Sequence, residues 1–401
     1  MKKALLMTGI SLALVGGLSN CAVVEPKENV EVKIPAEFSG KTSAFAFDFW
    51  KQIHKAEAKN NNYFVSPLSL HIALGMLLNG ADTETKTEIQ KTLKLDNASL
   101  EEINSSYKEL IEKLPNLDPK VKNTIANSIW QEKTFPVQAT FTDGLKSNFN
   151  AQLYSEDFGN PATVSKINQW ASDNTNEKIK KILDSITPDQ VMFLVNALYF
   201  KGDWKSEFET KNTSKADFKG SASTKQVDMM HKQEEYLYTE NENFQMIELP
   251  YGNDKYAMKV ILPKGDIDAL VNSFNQETWA TAGKGMVKQK VNFGLPKFKI
   301  EYSKKLNEIL ENMGMKKAFT DGADLSKISP PAGKIKVGFV KQDTYVAVDE
   351  KGTEAAAVTT IGIVLTSVPI IREMTCDKPF LFVISEKTSD TILFLGKVSN
   401  L

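Results

Sequence analysis

The stretch Val348-Asp349-Glu350-Lys351-Gly352-Thr353-Glu354-Ala355-Ala356-Ala357-Val358-Thr359-Thr360-Ile361-Gly362-Ile363-Val364-Leu365-Thr366-Ser367-Val368-Pro369-Ile370-Ile371 decides how the chain is read. From Ala355 to Ile371 it carries no charge at all. Taken alone, such a run reads as a buried core strand. Its length speaks against that, because strands usually have about 5–6 residues and this run continues well past them. The β-branched residues Val358, Thr359, Thr360, Ile361, Ile363, Val364 and Thr366 suit extended backbone. Proline, which removes a ladder hydrogen bond from a central strand, is absent from Lys351 to Thr366 and first occurs at Pro369.

Around this stretch the composition is that of an ordinary globular protein: 401 residues, net charge −1, 25% charged and 41% hydrophobic. There is ample apolar mass for a large core. The near-neutral balance gives no reason to propose nucleic acid as a partner. Short basic runs such as Lys178-Ile179-Lys180-Lys181 are mixed with acids and read as a solvated helix face.

The amino terminus reads as an export signal. Lys2 and Lys3 precede an apolar stretch, Ala4 to Leu18, too short for a membrane-spanning helix, which needs about 20 apolar residues. Leu18-Ser19-Asn20-Cys21 resembles the lipobox of bacterial lipoproteins, which implies a lipid on Cys21 as the first mature residue. Asn20 departs from the small residue usual there, so plain cleavage and secretion is the alternative. Residues 1–20 are therefore expected as a signal peptide, 21–40 as a tether and 41–401 as the folded domain, anchored at the cell envelope or surface. With Cys21 lipidated, Cys376 has no disulfide partner and reads as a small buried hydrophobe.

Beyond Lys41, helical and strand-like segments alternate without a composition break, which favours one large α+β domain. Ser66-Pro67 opens a helix, with Ser as N-cap and Pro in the first turn, and Asn79-Gly80 ends it. That helix is apolar on all sides and must be buried. Residues 163–183 and 303–314 read as further helices, and Val191–Phe200 as a buried central strand. Phe380–Ser385 and Thr391–Lys397 read as a closing hairpin. His54, His71 and His231 are the only histidines, none beside a nucleophile motif, and no His or Cys pair has metal-ligand spacing. Neither an enzyme nor a metal or cofactor site is expected.

Five separated motifs then identify a resemblance to the serpin family over nearly all the chain after residue 41. Val348–Ala357 is similar to its hinge, and Asn62-Tyr-Phe-Val-Ser-Pro-Leu-Ser69 to its "SP-x-S" helix start. Val195-Asn-Ala-Leu-Tyr-Phe-Lys-Gly-Asp-Trp204, Leu295-Pro-Lys-Phe-Lys-Ile300 and Asp377-Lys-Pro-Phe-Leu-Phe382 resemble three of its strands.

The resemblance implies a serpin fold, with three β-sheets, about eight or nine helices and an exposed reactive-centre loop in a metastable native state. It implies a monomeric suicide inhibitor of serine, or also cysteine, endopeptidases. The protease is held as a covalent acyl complex while the cleaved loop enters the main sheet as a new strand. The hinge is Glu350, Gly352, Thr353, Ala355, Ala356 and Ala357, and the attacked bond is Thr366–Ser367, with Leu365 the alternative. An inserting strand alternates faces, and the family pattern buries the small residues Thr353, Ala355, Ala357 and Thr359. From Glu350 to Thr366, at about 3.3 Å per residue, the segment spans roughly 50 Å. No Lys or Arg lies between Gly352 and Ile371, so elastase-, chymotrypsin- or subtilisin-like targets are favoured over trypsin-like ones.

Conformational control is implied for Lys297 paired with Glu350 beside Trp204, and for a mid-sheet cluster of Ser66, Ser69 and Asn196. Gln342 stands where many family members add a histidine, which implies that the cluster loses its pH response. The alternative is a non-inhibitory member acting as a binding or chaperone module. Such members usually carry bulky, charged or proline residues in the hinge, and Gly352–Ala357 does not.

Overall fold

A computed structural model describes residues 30–58, 61–329, 335–353 and 371–401. Nine α-helices occur among them: α1 (Ala36–Ala56), α2 (Pro67–Leu78), α3 (Thr83–Thr92), α4 (Leu100–Lys113), α5 (Ala139–Phe149), α6 (Ala162–Asn174), α7 (Ile267–Ser273), α8 (Gln276–Lys284) and α9 (Asn307–Asn312).

The strands form three sheets. The largest runs β1 (Tyr63–Val65), β15 (Ile392–Val398), β14 (Phe380–Glu386), β8 (Tyr256–Pro263), β7 (Phe244–Tyr251), β6 (Thr224–Glu240), β9 (Val287–Pro296) and β13 (Arg372–Thr375), with β5 (Thr213–Lys219) paired to β6. A four-stranded sheet has the order β12 (Gly352–Thr353), β4 (Met192–Asp203), β2 (Val121–Glu132) and β3 (Ala151–Glu156). The third is the antiparallel pair β10 (Phe298–Lys305) and β11 (Lys341–Val348). The α+β class and the three-sheet architecture with nine helices agree with the expectation.

Local chemistry explains where elements begin. Ser66 Oγ accepts from Ser69 N at 3.1 Å, and Pro67 takes the first helical position of α2, where a missing N–H costs nothing. The helix is apolar all round and nearly every side chain of it is buried. The closing hairpin β14–β15 is antiparallel and also fully buried.

Three expectations are corrected. The helix read over 163–183 ends at Asn174: Asn176 and Glu177 take φ of 52° and 60°, and Asn168 Oδ1 accepts from the N–H groups of both Ile182 and Leu183. Residues 175–191 thus form a non-helical strap. The helix read over 303–314 is only α9, because residues up to Lys305 pair with β11 instead. The tether read over 21–40 overlaps the folded body: α1 starts at Ala36, and Val32 and Phe38 are buried in the core. Cys21 and the signal region lie outside the described residues.

Two apolar clusters organise the body. The main core joins α1, α2 and the large sheet, whereas a second gathers Trp130, Ile167, Trp170 and Phe193 beneath α6. Cys376 is fully buried in the main core, and burial pushes its thiol pKa up.

Candidate functional site

Among the described residues β4 and β11 share no ladder, so a slot lies between the four-stranded and two-stranded sheets. A cavity of about 410 Å³ lies in it, floored by α2 through Leu70, Ala73 and Leu74 and roofed by the strap. At the upper end, β12 has taken a place beside β4, antiparallel, with Gly352 opposite Asp203 and Thr353 opposite Gly202. Among the described residues, one strand position is occupied at its top by β12 and by no strand below it.

The turn between β11 and β12 is tightly held. Asp349 Oδ1 accepts from Lys351 N at 2.9 Å, and Gly352 takes a φ of +150°. No Cβ fits at 352, since it would lie 2.3 Å from Gly202 O and 2.7 Å from Asp203 Cα. Trp204 N donates to Lys351 O and Phe208 N to Glu350 O, both at 2.8 Å.

Side chains reinforce the same turn. Lys297 Nζ lies 2.9 Å from Glu350 Oε2, and Thr213 Oγ1 donates to Glu350 Oε1 at 2.9 Å. Burial alone pushes the Glu350 carboxyl upward, but the hydrogen bonds from Lys297 and Thr213 and the lysine charge outweigh it and hold it below its ordinary value. The hydrogen bond to Glu350 in turn raises Lys297. Trp204 Nε1 donates to Asp349 O at 3.1 Å, and its ring stacks on Tyr251 at 4.5 Å. The Tyr251 and Thr353 hydroxyls are 2.8 Å apart. Thr213 and Tyr251 were not found by sequence reasoning, because neither is near the hinge in the chain. The Asp349–Gly352 turn could have been read from the Asp-x-x-Gly spacing.

The polar residues at mid-slot divide between its walls. On one side Ser66 Oγ donates to Leu393 O at 2.8 Å, Ser66 N donates to Gln342 Oε1 at 2.9 Å, and Gln342 Nε2 donates to Ser66 O at 2.8 Å. Asn196 is not in this group. It donates through Nδ2 to Asn127 Oδ1 at 2.7 Å on the opposite wall. Its own Oδ1 is buried without a hydrogen-bond partner among the described residues. The cluster expected of Ser66, Ser69 and Asn196 is therefore split in two by the slot. Such an orphaned acceptor costs on the order of 1–3 kcal/mol, and a donor arriving in the slot would recover it.

Ala355, Ala356, Ala357, Leu365, Thr366 and Ser367 lie outside the described residues. Among the described residues, no group of three His, Cys, Asp or Glu side chains could hold a metal ion, and no helix is long and apolar enough to cross a membrane.

Comparison with known proteins adds the following. The sequence profile of the family described as Serpin (serine protease inhibitor) matches residues 40–401. A serpin-like protein of Thermococcus kodakarensis is 32% identical over 89% of this chain and 84% of its own length. Human Serpin B4 is 33% identical over 90% of this chain and 99% of its own. Among solved structures, the thermophilic serpin Tengpin in its native state superposes with a TM-score of 0.84, at 33% identity, covering 92% of this chain and 96% of that one.

Proposed function

This chain belongs to the serpin family, a family of protease inhibitors, not of enzymes, that also has non-inhibitory members, and on that premise we propose that it is a suicide inhibitor of serine endopeptidases. The observation that supports the reading is the slot: one strand position beside β4, entered by β12 and lined below it, among the described residues, by α2, β4 and the start of β11 without a pairing strand.

The chemistry follows from a strand entering that position. The target's serine Oγ attacks the carbonyl carbon of Thr366, the amide bond to Ser367 breaks, and the new Ser367 amine leaves with a proton from the enzyme's base. An ester then joins Thr366 to the protease. Freed at that end, the segment after Thr353 extends down the slot and gains main-chain hydrogen bonds to β4 and β11. The attached protease travels with it. Ala355 and Ala357 follow Thr353 in the inward register, where small side chains meet α2. Absence of Lys and Arg from 353–371 favours elastase-, chymotrypsin- and subtilisin-like enzymes, with papain-like cysteine proteases as further targets. The protein acts as an exported monomer, tethered to a bacterial membrane through lipidated Cys21.

Incubation with elastase, chymotrypsin, subtilisin, papain and trypsin, followed by a denaturing gel, tests this. A covalent band with one of the first four, and a clipped product of mass ending at Thr366, is the expected result. Clean cleavage without any covalent band would instead identify a non-inhibitory member.

A further inference from the structure

Of the 49 lysine and arginine residues in the chain, Arg372 alone is an arginine. Elsewhere on the surface, ion pairs such as Lys94–Asp48, Lys133–Asp157 and Lys215–Asp228 are made by lysine, which suffices for charge and solubility. A guanidinium adds something an ammonium lacks: a planar fork of donors that grips a carboxylate through two parallel hydrogen bonds. Within this chain the fork is barely used. Arg372 Nη1 lies 3.4 Å from Glu240 Oε1, while Glu240 already holds Lys264 Nζ at 2.8 Å through Oε2. The hydrogen bond from Lys264 does most to keep the Glu240 carboxyl below its ordinary value, and the Arg372 charge adds less. The guanidinium is half exposed.

The strand that carries it is held still. β13 is the end strand of the large sheet, laid parallel to β9, and among the described residues no strand pairs with its other edge. Gln245 Nε2 donates to Glu373 O at 2.9 Å, and Asn292 Nδ2 donates to Glu373 Oε2 at 2.8 Å, which fixes the chain one residue on. Ile371, the residue before, is 39% exposed and is one of two large apolar side chains exposed among the described residues. Arginine is enriched and lysine depleted in protein interfaces. An apolar side chain beside an arginine with spare donors, on a strand that needs no ordering before contact, suits the docking of another protein.

We propose that Arg372 is a docking residue for the target protease, gripping a carboxylate on the enzyme's surface at the leaving-group side of its cleft. This rests on the inhibitor reading given above. Arg372 follows the attacked Thr366–Ser367 bond by six residues, so at most about 20 Å of chain separates them. A protease domain of about 200 residues is roughly 40 Å across. An enzyme seated on that bond therefore brings the edge of its footprint over Arg372. Glu240 is the resting partner, from which the enzyme's carboxylate takes over the fork. The grip acts only before cleavage. Once the bond breaks, Arg372 stays on β13 with the leaving-group side, and nothing ties it to the acyl-enzyme. Its effect belongs to the rate of encounter and not to the share of encounters that end as covalent complex.

The second-order rate of inhibition tests this, measured with whichever of elastase, chymotrypsin, subtilisin and papain is inhibited fastest. Arg372→Ala should slow it about three- to tenfold and flatten its dependence on salt, because charges at the margin of an interface act on association. Arg372→Lys keeps the charge but not the fork, and its rate should lie nearer to that of alanine than to that of arginine. Glu240→Gln releases the fork and should speed inhibition. Melting temperature and the ratio of covalent complex to clipped inhibitor should stay as they are in both Arg372 variants. Glu240→Gln slowing inhibition as much as Arg372→Ala, the outcome of a merely structural pair, overturns the proposal. So does lysine working as well as arginine, or an Arg372→Ala rate within about twofold of the unaltered protein. If no protease of the four gives a covalent band, the inhibitor reading itself falls and the docking residue with it.

Discussion

Replacing Gly352 by alanine should pull β12 away from β4. The new Cβ would stand 2.3 Å from Gly202 O, 2.7 Å from Asp203 Cα and 2.9 Å from Trp204 N, and all three are main-chain atoms of the neighbouring strand and its continuation. No side chain can swing aside to make room. An ordinary carbon contact needs about 3.5 Å, so the hinge must retreat by roughly 1 Å. The hydrogen bonds Trp204 N to Lys351 O and Tyr251 to Thr353, both 2.8 Å, would stretch to lengths at which they no longer count as bonds. Each is worth about 1 kcal/mol net. Forcing alanine to the glycine φ of +150° adds further strain, on the order of 1 kcal/mol or more. A loss of about 3 kcal/mol is expected. Urea unfolding of the intact protein, followed by tryptophan fluorescence, reads it as a lower midpoint of the first transition. Gly283→Ala is the control: Gly283 lies in α8, and a Cβ added there would meet nothing within 4 Å, so the change should be neutral or stabilise by up to about 1 kcal/mol. A Gly352→Ala midpoint as close to the unaltered protein as that of Gly283→Ala would refute the reasoning.

Two further outcomes are expected. His71 is fully buried, bonded to Tyr107 and to Leu93 O, and burial lowers its pKa from 6.5 to about 4. Its stabilising share is complete above the unfolded pKa and declines as pH falls from 6.5 to about 4, because the unfolded chain takes up a proton that the folded one refuses. The loss amounts to roughly 3 kcal/mol, and His71→Gln should flatten that part of a denaturant-midpoint series; a slope as steep as before rejects it. Cys21→Ala, made in the full chain in a bacterial host, should move the protein from the membrane fraction to the soluble one, and retention in the membrane would remove the lipid anchor.

Much of the fold was legible because its signals are local. Ser66-Pro67 marked the start of α2 and Asn79-Gly80 its end, since capping and turn chemistry act within a few residues. The closing hairpin was legible from its two apolar runs and the polar turn between them. α6 was overrun in the reading because its stop has no strong local sign. Asn168, six residues before the end of that helix, captures the strap by folding back onto it. The short α9 was overestimated because the register of β10 with β11, a pairing over about forty residues of chain, claims Ser303 to Lys305. At the site, Lys297, Trp204, Gln342 and Glu350 came from motif resemblance, whereas Tyr251 and Thr213 are visible only once distant segments meet. The division of Asn196 from the serines depends on the spacing of β4 from β11, which are unpaired among the described residues, a property that no single segment encodes.

β13 fastens the far side of residues 354–370 to β9, where Asn292 Nδ2 donates to Glu373 at 2.8 Å, at the same end of the molecule as Lys297 and Glu350. Were an uncut chain to lie along β4 as far as Phe193, it would have descended nine residues, or about 30 Å. Residues 363–370 would then have to climb back over that distance, and eight residues drawn taut reach only about 30 Å. Such a rope has no slack. An intact polypeptide lying that deep would be drawn taut against β13, and severing a single link removes the restraint without altering any surface the strand must fit.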